Sequence, residues 1–263
     1  MIEAKLQQEL RERFNPDGSL LRKQQLRMLD ILLYVDKVCK EHNIRYWLSS
    51  GTLLGAVRHG GFIPWDDDLD IEMLREDYDK FIKVFKDNND YALQTYKSDK
   101  HYYRTCAKVR DMHSQISEFE LDKHYKYRGI FIDVFSIEYM PKFVCRLYGG
   151  AIEVVCRWAR KFSDNRVAML GVKLLQKIVL CSIPIARPIF RVFAKDLHHS
   201  YGSGFLKKRN MEDIYPLTTI QFEGYTFPSP YNADSYLREI YGDYNKLPDI
   251  DSIVVHTSLC VFK

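Results

Sequence analysis

Four aspartates fall within five positions of the run PWDDDLDIEM, residues 64 to 73. Carboxylates this close repel one another unless something positive sits among them. Side chains alternate along a strand, so Asp68 and Asp70 project to the same face and can converge on one cation. Asp66 shares that face only if the strand extends so far. A further acid, Asp133, is the single charge inside GIFIDVFSI, residues 129 to 137, and so continuous an apolar run belongs in a buried strand. An unpaired buried carboxylate is costly, and a bound metal removes the cost. Oxygen donors of this kind suit Mg2+ or Mn2+, held by carboxylates and shared with substrate phosphates. Two such cations bridge a phosphate, activate the attacking oxygen and stabilise the leaving one. Asp68, Asp70 and Asp133 are therefore the expected catalytic and metal-binding set. The bland alternatives are a solvated turn capping a helix and a buried acid satisfied by backbone donors or an arginine. Against the first, the acids lead into alternating apolar residues and not into a helix.

A phosphate needs more than metal. Ser50, Gly51 and Thr52 form a strand-to-helix turn whose backbone N–H groups could cradle one. Arg58, beside His59, and Lys108, two residues from Arg110, are cations that could neutralise developing phosphate charge, and Arg58 and Lys108 are the stronger candidates. Trp65 could wall the site or simply be packed.

The elements that must position these groups are legible in outline. Leu21, Leu26, Leu29, Leu32, Leu33 and Val35 recur at helical spacing, predicting an amphipathic helix over 20–42 that packs on a sheet. Strands are expected at 44–50, 68–73, 91–95, 103–110, 129–137 and 221–227, and helices at 51–60, 75–86 and 234–241. From Lys142 to about His199 the pattern is helical and basic, broken at Ser163-Asp164-Asn165 and at Pro184 and Pro188, which predicts two or three helices. Between Lys142 and Lys195 stand eleven Lys or Arg against Glu153 and Asp164, in a chain of formal net charge +4, so the remainder is net acidic. A local anionic partner is implied, and a peripheral contact of 142–195 with anionic lipid is the expected one. Nucleic acid is not. The longest uncharged stretch there, Ile178 to Ala186, has nine residues, about half of the roughly 20 that cross a bilayer, so a membrane span is not expected. The charged N-terminal sequence lacks a secretory pattern, and six scattered cysteines suit a reducing cytoplasm. The division expected is a catalytic core over 1–141, a basic helical insertion over 142–200 and a return to the core over 201–263.

These blocks carry a resemblance. YWLSSGTLLGAVRHGGFIPWDDDLDI, Tyr46 to Ile71, closely resembles the signature of the LicD family of phosphotransferases, which includes phosphocholine transferases and fukutin-like enzymes. GIFIDVFSIE at 129 to 138 resembles its second block, and YGDYNKLP, ending at Pro248, its third. The resemblance implies an α+β, nucleotidyltransferase-like fold, a mixed β-sheet flanked by helices. It implies transfer of a phosphorylated alcohol such as phosphocholine from a CDP-linked alcohol donor to a sugar hydroxyl of a cell-surface glycan, possibly lipid-linked, as in lipopolysaccharide or teichoic acid, with release of CMP. Asp68, Asp70 and Asp133 match the family's acids, and Ser50, Gly51 and Thr52 its phosphate-side turn. Ser136 stands where Pro is common and Glu138 where Asp is common. The place of action implied is the cytoplasm, peripheral to the inner face of the membrane. Two alternatives share the pattern: a nucleotidyltransferase moving NMP, and a catalytically silent glycan- or membrane-binding module, whose mark would be a lost acid.

Overall fold

The computed structural model describes residues 3–117, 123–253 and 259–262. After a short helix α1 (Ala4–Phe14), Ser19 caps α2 (Leu20–Glu41) by accepting the Arg22 N–H, satisfying one of the donors a helix start leaves free. One stripe of α2, including Met28, Ile31, Leu32 and Val35, is buried against the central sheet.

That sheet is built from β1 (Trp47–Leu48), β2 (Asp70–Leu74), β3 (Tyr91–Gln94), β4 (Ala107–Asp111), β6 (Phe131–Tyr139) and β7 (Leu197–His199), in the order β1-β2-β6-β4-β3, with β7 pairing the end of β6. A strand β5 (Ser114–Ser117) lies outside it and pairs with a C-terminal β10 (Leu259–Phe262). Helix α3 (Ser50–His59) connects β1 to β2, and α4 (Arg75–Val84) follows β2. Strands β2 and β6 run parallel, whereas β6 is antiparallel to both β4 and β7. Strand β6, flanked by β2 and β4 and buried along most of its length, is the apolar run that contains Asp133. The fold is thus α+β, with a mixed sheet flanked by helices, as the sequence leads one to expect.

Three sequence expectations need correction. The stretch 221–227 is not one strand but a hairpin of β8 (Thr218–Phe222) and β9 (Tyr225–Ser229), because Glu223 and Gly224 both take positive φ, 51° and 82°, and turn the chain. The strand expected from residue 68 begins only at Asp70. The basic segment forms two long helices, α5 (Lys142–Lys161) and α6 (Arg166–Arg191), and α6 runs on through Pro184 and Pro188. At 26 residues α6 is long and apolar enough to cross a membrane by length and composition, contrary to the count of uncharged residues. Lys173 and Lys177 interrupt the charge-free run without making the helix polar.

The two helices form a hairpin with its own apolar cluster, in which Val144, Ile152 and Val155 of α5 meet Val172, Val179 and Ile183 of α6. Glu138 at the end of β6 receives the Arg187 guanidinium at 2.7 Å, so the acid that departs from the common pattern ties the hairpin to the sheet.

Candidate active site

The site starts from strand register. Asp70 is the direct partner of Asp133 on the parallel pair β2–β6, and Lys108 of β4 is the partner of Asp133 on its other side. Residues in register on neighbouring strands point to the same face and stand about 4.8 Å apart. Asp70, Asp133 and Lys108 therefore form a row across three strands. The Lys108 ammonium donates to Asp133 Oδ2 at 2.9 Å and lies over the Phe131 ring, 3.2 Å from its centroid. Among the described residues, Asp70 has no such cation of its own. Burial first, then the charges of Asp133, Asp68 and Asp66, hold its carboxyl well above the usual carboxylate range, and Lys108 only partly opposes them.

Asp68 precedes the strand, in irregular backbone, and its charge acts on Asp70. Among the described residues, Asp66, Asp67 and Asp68 can each bring one carboxylate oxygen within 4.8 Å of the others. The backbone of Asp68 and Asp67 favours the charged form of Asp66. Even so, burial and the neighbouring acids push it up to about 7. Of the expected set this grouping holds Asp68 alone and does not extend to Asp70 or Asp133; it adds Asp66 and Asp67, which strand alternation alone would not have included because residues 66–69 are not in a strand.

Helix α3 sets its N-terminus against these acids. A Cβ on Gly51 would stand 2.8 Å from Asp66 Oδ2, so only glycine leaves room for that carboxylate. Ser50 enters the helix at φ 48°, a left-handed conformation that costs a non-glycine residue about 1–2 kcal/mol. The Thr52 hydroxyl accepts the Asp70 N–H at 2.8 Å, and the Ser49 N–H reaches the Asp70 carbonyl at 3.1 Å. Thr52 therefore positions the central acid. The positive end of the helix favours anions in front of it.

Arg58 lies at the other end of α3. It is buried, and donates to the Tyr244 carbonyl at 3.0 Å and to His59 Nε2 at 2.9 Å. Its guanidinium anchors the C-terminal loop where the sequence suggested phosphate binding. With Nε2 accepting, the neutral His59 ring donates from Nδ1 to Gln7 of α1, and burial beside Arg58 holds its pKa down, at about 3. Trp65 packs edge-on between Phe14 and His59. The YGDYNKLP block returns to the site through α8 (Ala233–Tyr241), for the charges of Asp70 and Asp66, after burial, raise the Tyr241 hydroxyl.

Sequence reasoning missed a second charged group on the same face of β2. Glu72, two residues beyond Asp70, is fully buried and accepts from His199 Nε2 at 2.6 Å, Tyr236 at 2.6 Å, Arg209 at 2.7 Å and the Trp47 indole at 3.2 Å. Burial alone would raise its pKa, but Arg209 and His199 outweigh burial and hold it well below the usual range. The Tyr236 hydroxyl also accepts from Arg209 Nε at 2.8 Å, leaving Ser49, 2.8 Å away, to donate to it. One carboxylate so joins β1, β2, β7, α8 and the residue that caps α3. Alternation could have put Glu72 on the face of Asp70, but its partners come from four distant segments.

A mixed sheet whose adjacent parallel strands present opposed carboxylates, with further acids gathered at a helix N-terminus, defines a nucleotidyltransferase-like fold. Residues 43–146 match the family described as LicD/FKTN/FKRP, nucleotidyltransferase domain. The lipopolysaccharide cholinephosphotransferase LicD of Haemophilus influenzae is 31% identical over 246 residues, 87% of this chain and 92% of that one. The ribitol 5-phosphate transferase FKRP of Homo sapiens is 52% identical over 44 residues, 17% of this chain and 9% of that one. The ribitol-5-phosphate transferase FKTN of Mus musculus is 37% identical over 62 residues, 24% of this chain and 13% of that one. The chain belongs to the LicD family.

Proposed function

We propose that this protein transfers a phosphorylated small alcohol, phosphocholine or a relative of it, from a CDP-linked donor to a sugar hydroxyl of a glycan. The observation that carries the reading is Asp70 set opposite Asp133 with Asp66 and Asp68 beside them, a concentration of negative charge that Lys108 only partly offsets. The donor set is all oxygen and partly open to solvent, which fits Mg2+ or Mn2+. Asp68, Asp70 and Asp133 would hold the metal, with Asp66 near them. When bound, it would supply positive charge against the donor's phosphates.

The chain's own groups do the rest. The N-terminus of α3 at Ser50 and Gly51 offers backbone N–H groups to an anion, and Thr52 holds Asp70 in place through its N–H. The acceptor hydroxyl oxygen bonds to the phosphorus that carries the alcohol, while the bond from that phosphorus to the CMP oxygen breaks and CMP leaves. The hydroxyl proton passes to the carboxylate cluster. The relatives' printed activities, a cholinephosphotransferase and ribitol phosphate transferases, support the class of group moved. The cytoplasm, at the inner face of a membrane, is the place of action that goes with this reading.

The test is to incubate the purified protein with Mg2+, a panel of CDP-linked alcohols and glycan acceptors, and to follow CMP. Metal-dependent CMP release that disappears in Asp70→Asn is expected. Full activity in that variant would end the proposal, and pyrophosphate in place of CMP would assign nucleotidyl transfer. Absence of any metal-dependent nucleotide binding would favour a silent binding module, although all the acids of the cluster are present.

A further inference from the structure

The site leaves α5 and α6 unexplained, and α6 presents an unusual surface. Val167, Leu170, Leu174, Ile178, Ile185 and Ile189 are each 54–79% exposed. Their spacing keeps them on one side of the helix, as an apolar ridge roughly 33 Å long at 1.5 Å per residue. Apolar surface that is contiguous on this scale marks a place where something else binds.

Charge indicates what. At 100° per residue, Arg166, Lys173, Lys177 and Arg191 all fall along one flank of the ridge, roughly 70–120° from its centre. The hairpin as a whole has only Glu153 and Asp164 to set against its ten cations. Two copies meeting ridge to ridge would bring these like charges together, which disfavours self-association. An anionic lipid surface accepts both features, the apolar ridge among the acyl chains and the cations among the headgroups.

The opposite side of α6 decides between lying on a membrane and crossing it. Val172, Val179, Ile183 and Ala186 are buried in the hairpin's cluster, and Arg187 is paired with Glu138 of β6. Tyr148 of α5 and Ser182 of α6 are hydrogen-bonded at 2.9 Å. A spanning α6 would forfeit all of these and carry Arg187 away from its partner. We infer that the outward ridge of α6 docks in the plane of an anionic membrane, with the catalytic sheet held above the surface. This inference does not depend on the metal chemistry, and the two can fail separately.

Flotation with vesicles tests it, using phosphatidylcholine alone and phosphatidylcholine with about one-third phosphatidylglycerol. The wild-type protein should float with the anionic vesicles, less so as salt is raised, and should stay behind with the neutral ones. The double variant Leu174→Glu, Ile178→Glu should lose about tenfold or more of this binding, yet unfold at the wild-type temperature because both side chains are exposed. Its CMP release on a soluble acceptor should be unchanged. No flotation of the wild type, or equal flotation of the variant, would overturn the inference. A wild-type dimer that the variant splits into monomers would replace the lipid with a second copy. Resistance to carbonate extraction from native membranes would replace in-plane docking with a span.

Discussion

Asp70 and Glu72 stand two residues apart on the same face of one strand and live in opposite electrostatic worlds. Glu72 has four donors around it, two of them from Arg209 and His199, and is held ionised in the dry interior. Asp70 faces Asp133, Asp68 and Asp66, and its carboxyl is driven toward the neutral form. The first arrangement spends its charge inside the protein and fixes five segments relative to one another. The second leaves its charge unbalanced where solvent and ligands can reach. A strand rigidly satisfied at one point can hold a repulsive cluster at the next, which is what a preorganised cation site requires.

Substituting either acid should expose this difference, and the largest effect is expected at Asp70. Asp70→Asn should lower metal-dependent CMP release by about a thousandfold or more while leaving the melting temperature equal or higher, since a repulsive charge is removed. Glu72→Gln should do the reverse in kind. It leaves Arg209 buried without its counter-charge, so urea denaturation should show a loss of about 3–5 kcal/mol, and any activity that survives should retain its metal requirement.

A third effect concerns pH. The folded-state pKa of Asp66, about 7, lies above its unfolded value of 3.8, so the folded protein binds this proton more tightly than the unfolded chain does. The stability associated with it is present below pH 4 and is lost as pH rises through 7. His59, depressed to about 3 from 6.5, titrates with the opposite sign over a similar range, so the wild-type curve alone will show little. The difference between Asp66→Asn and wild type in metal-free buffer isolates the acid. It should move in the variant's favour between pH 4 and pH 7 and stay flat above. With allowance for solvent at this half-buried carboxylate, the change should be about 1–2 kcal/mol. Saturating Mg2+ should erase it.

The smallest stability effect is expected from Gly51→Ala. The change should alter unfolding free energy by less than about 1 kcal/mol, because alanine suits a helix start, but the new methyl group must displace the Asp66 carboxylate. Metal half-saturation of CMP release should rise by about tenfold. An unchanged metal requirement would remove Asp66 from the site.

Much of this architecture is legible in the order of residues. The helix over 20–42, the short helix after Ser50 and the strand around Asp133 follow from apolar spacing and the Gly60-Gly61 break, and they fall where expected. The errors have local causes. Residues 221–227 alternate well enough to read as one strand, and only the positive φ of Glu223 and Gly224 reveals the turn. Pro184 and Pro188 look like helix breaks, but tertiary packing carries α6 through them. Arg58 sits close in sequence to the phosphate turn, yet α3 carries it to the helix's far end and into the C-terminal loop.

From the order of residues alone, Asp70 and Asp133 could be assigned to strands, because apolar patterning marks a strand wherever it lies in the fold. The same order determined the basic character of the hairpin. Packing alone pairs Asp133 with Lys108, seats the Asp66 carboxylate in the space at Gly51, and surrounds Glu72 with Trp47, His199, Arg209 and Tyr236. Those outcomes depend on the register between strands distant in the chain and on which donors packing brings within hydrogen-bond reach, and no periodicity within a single segment encodes either.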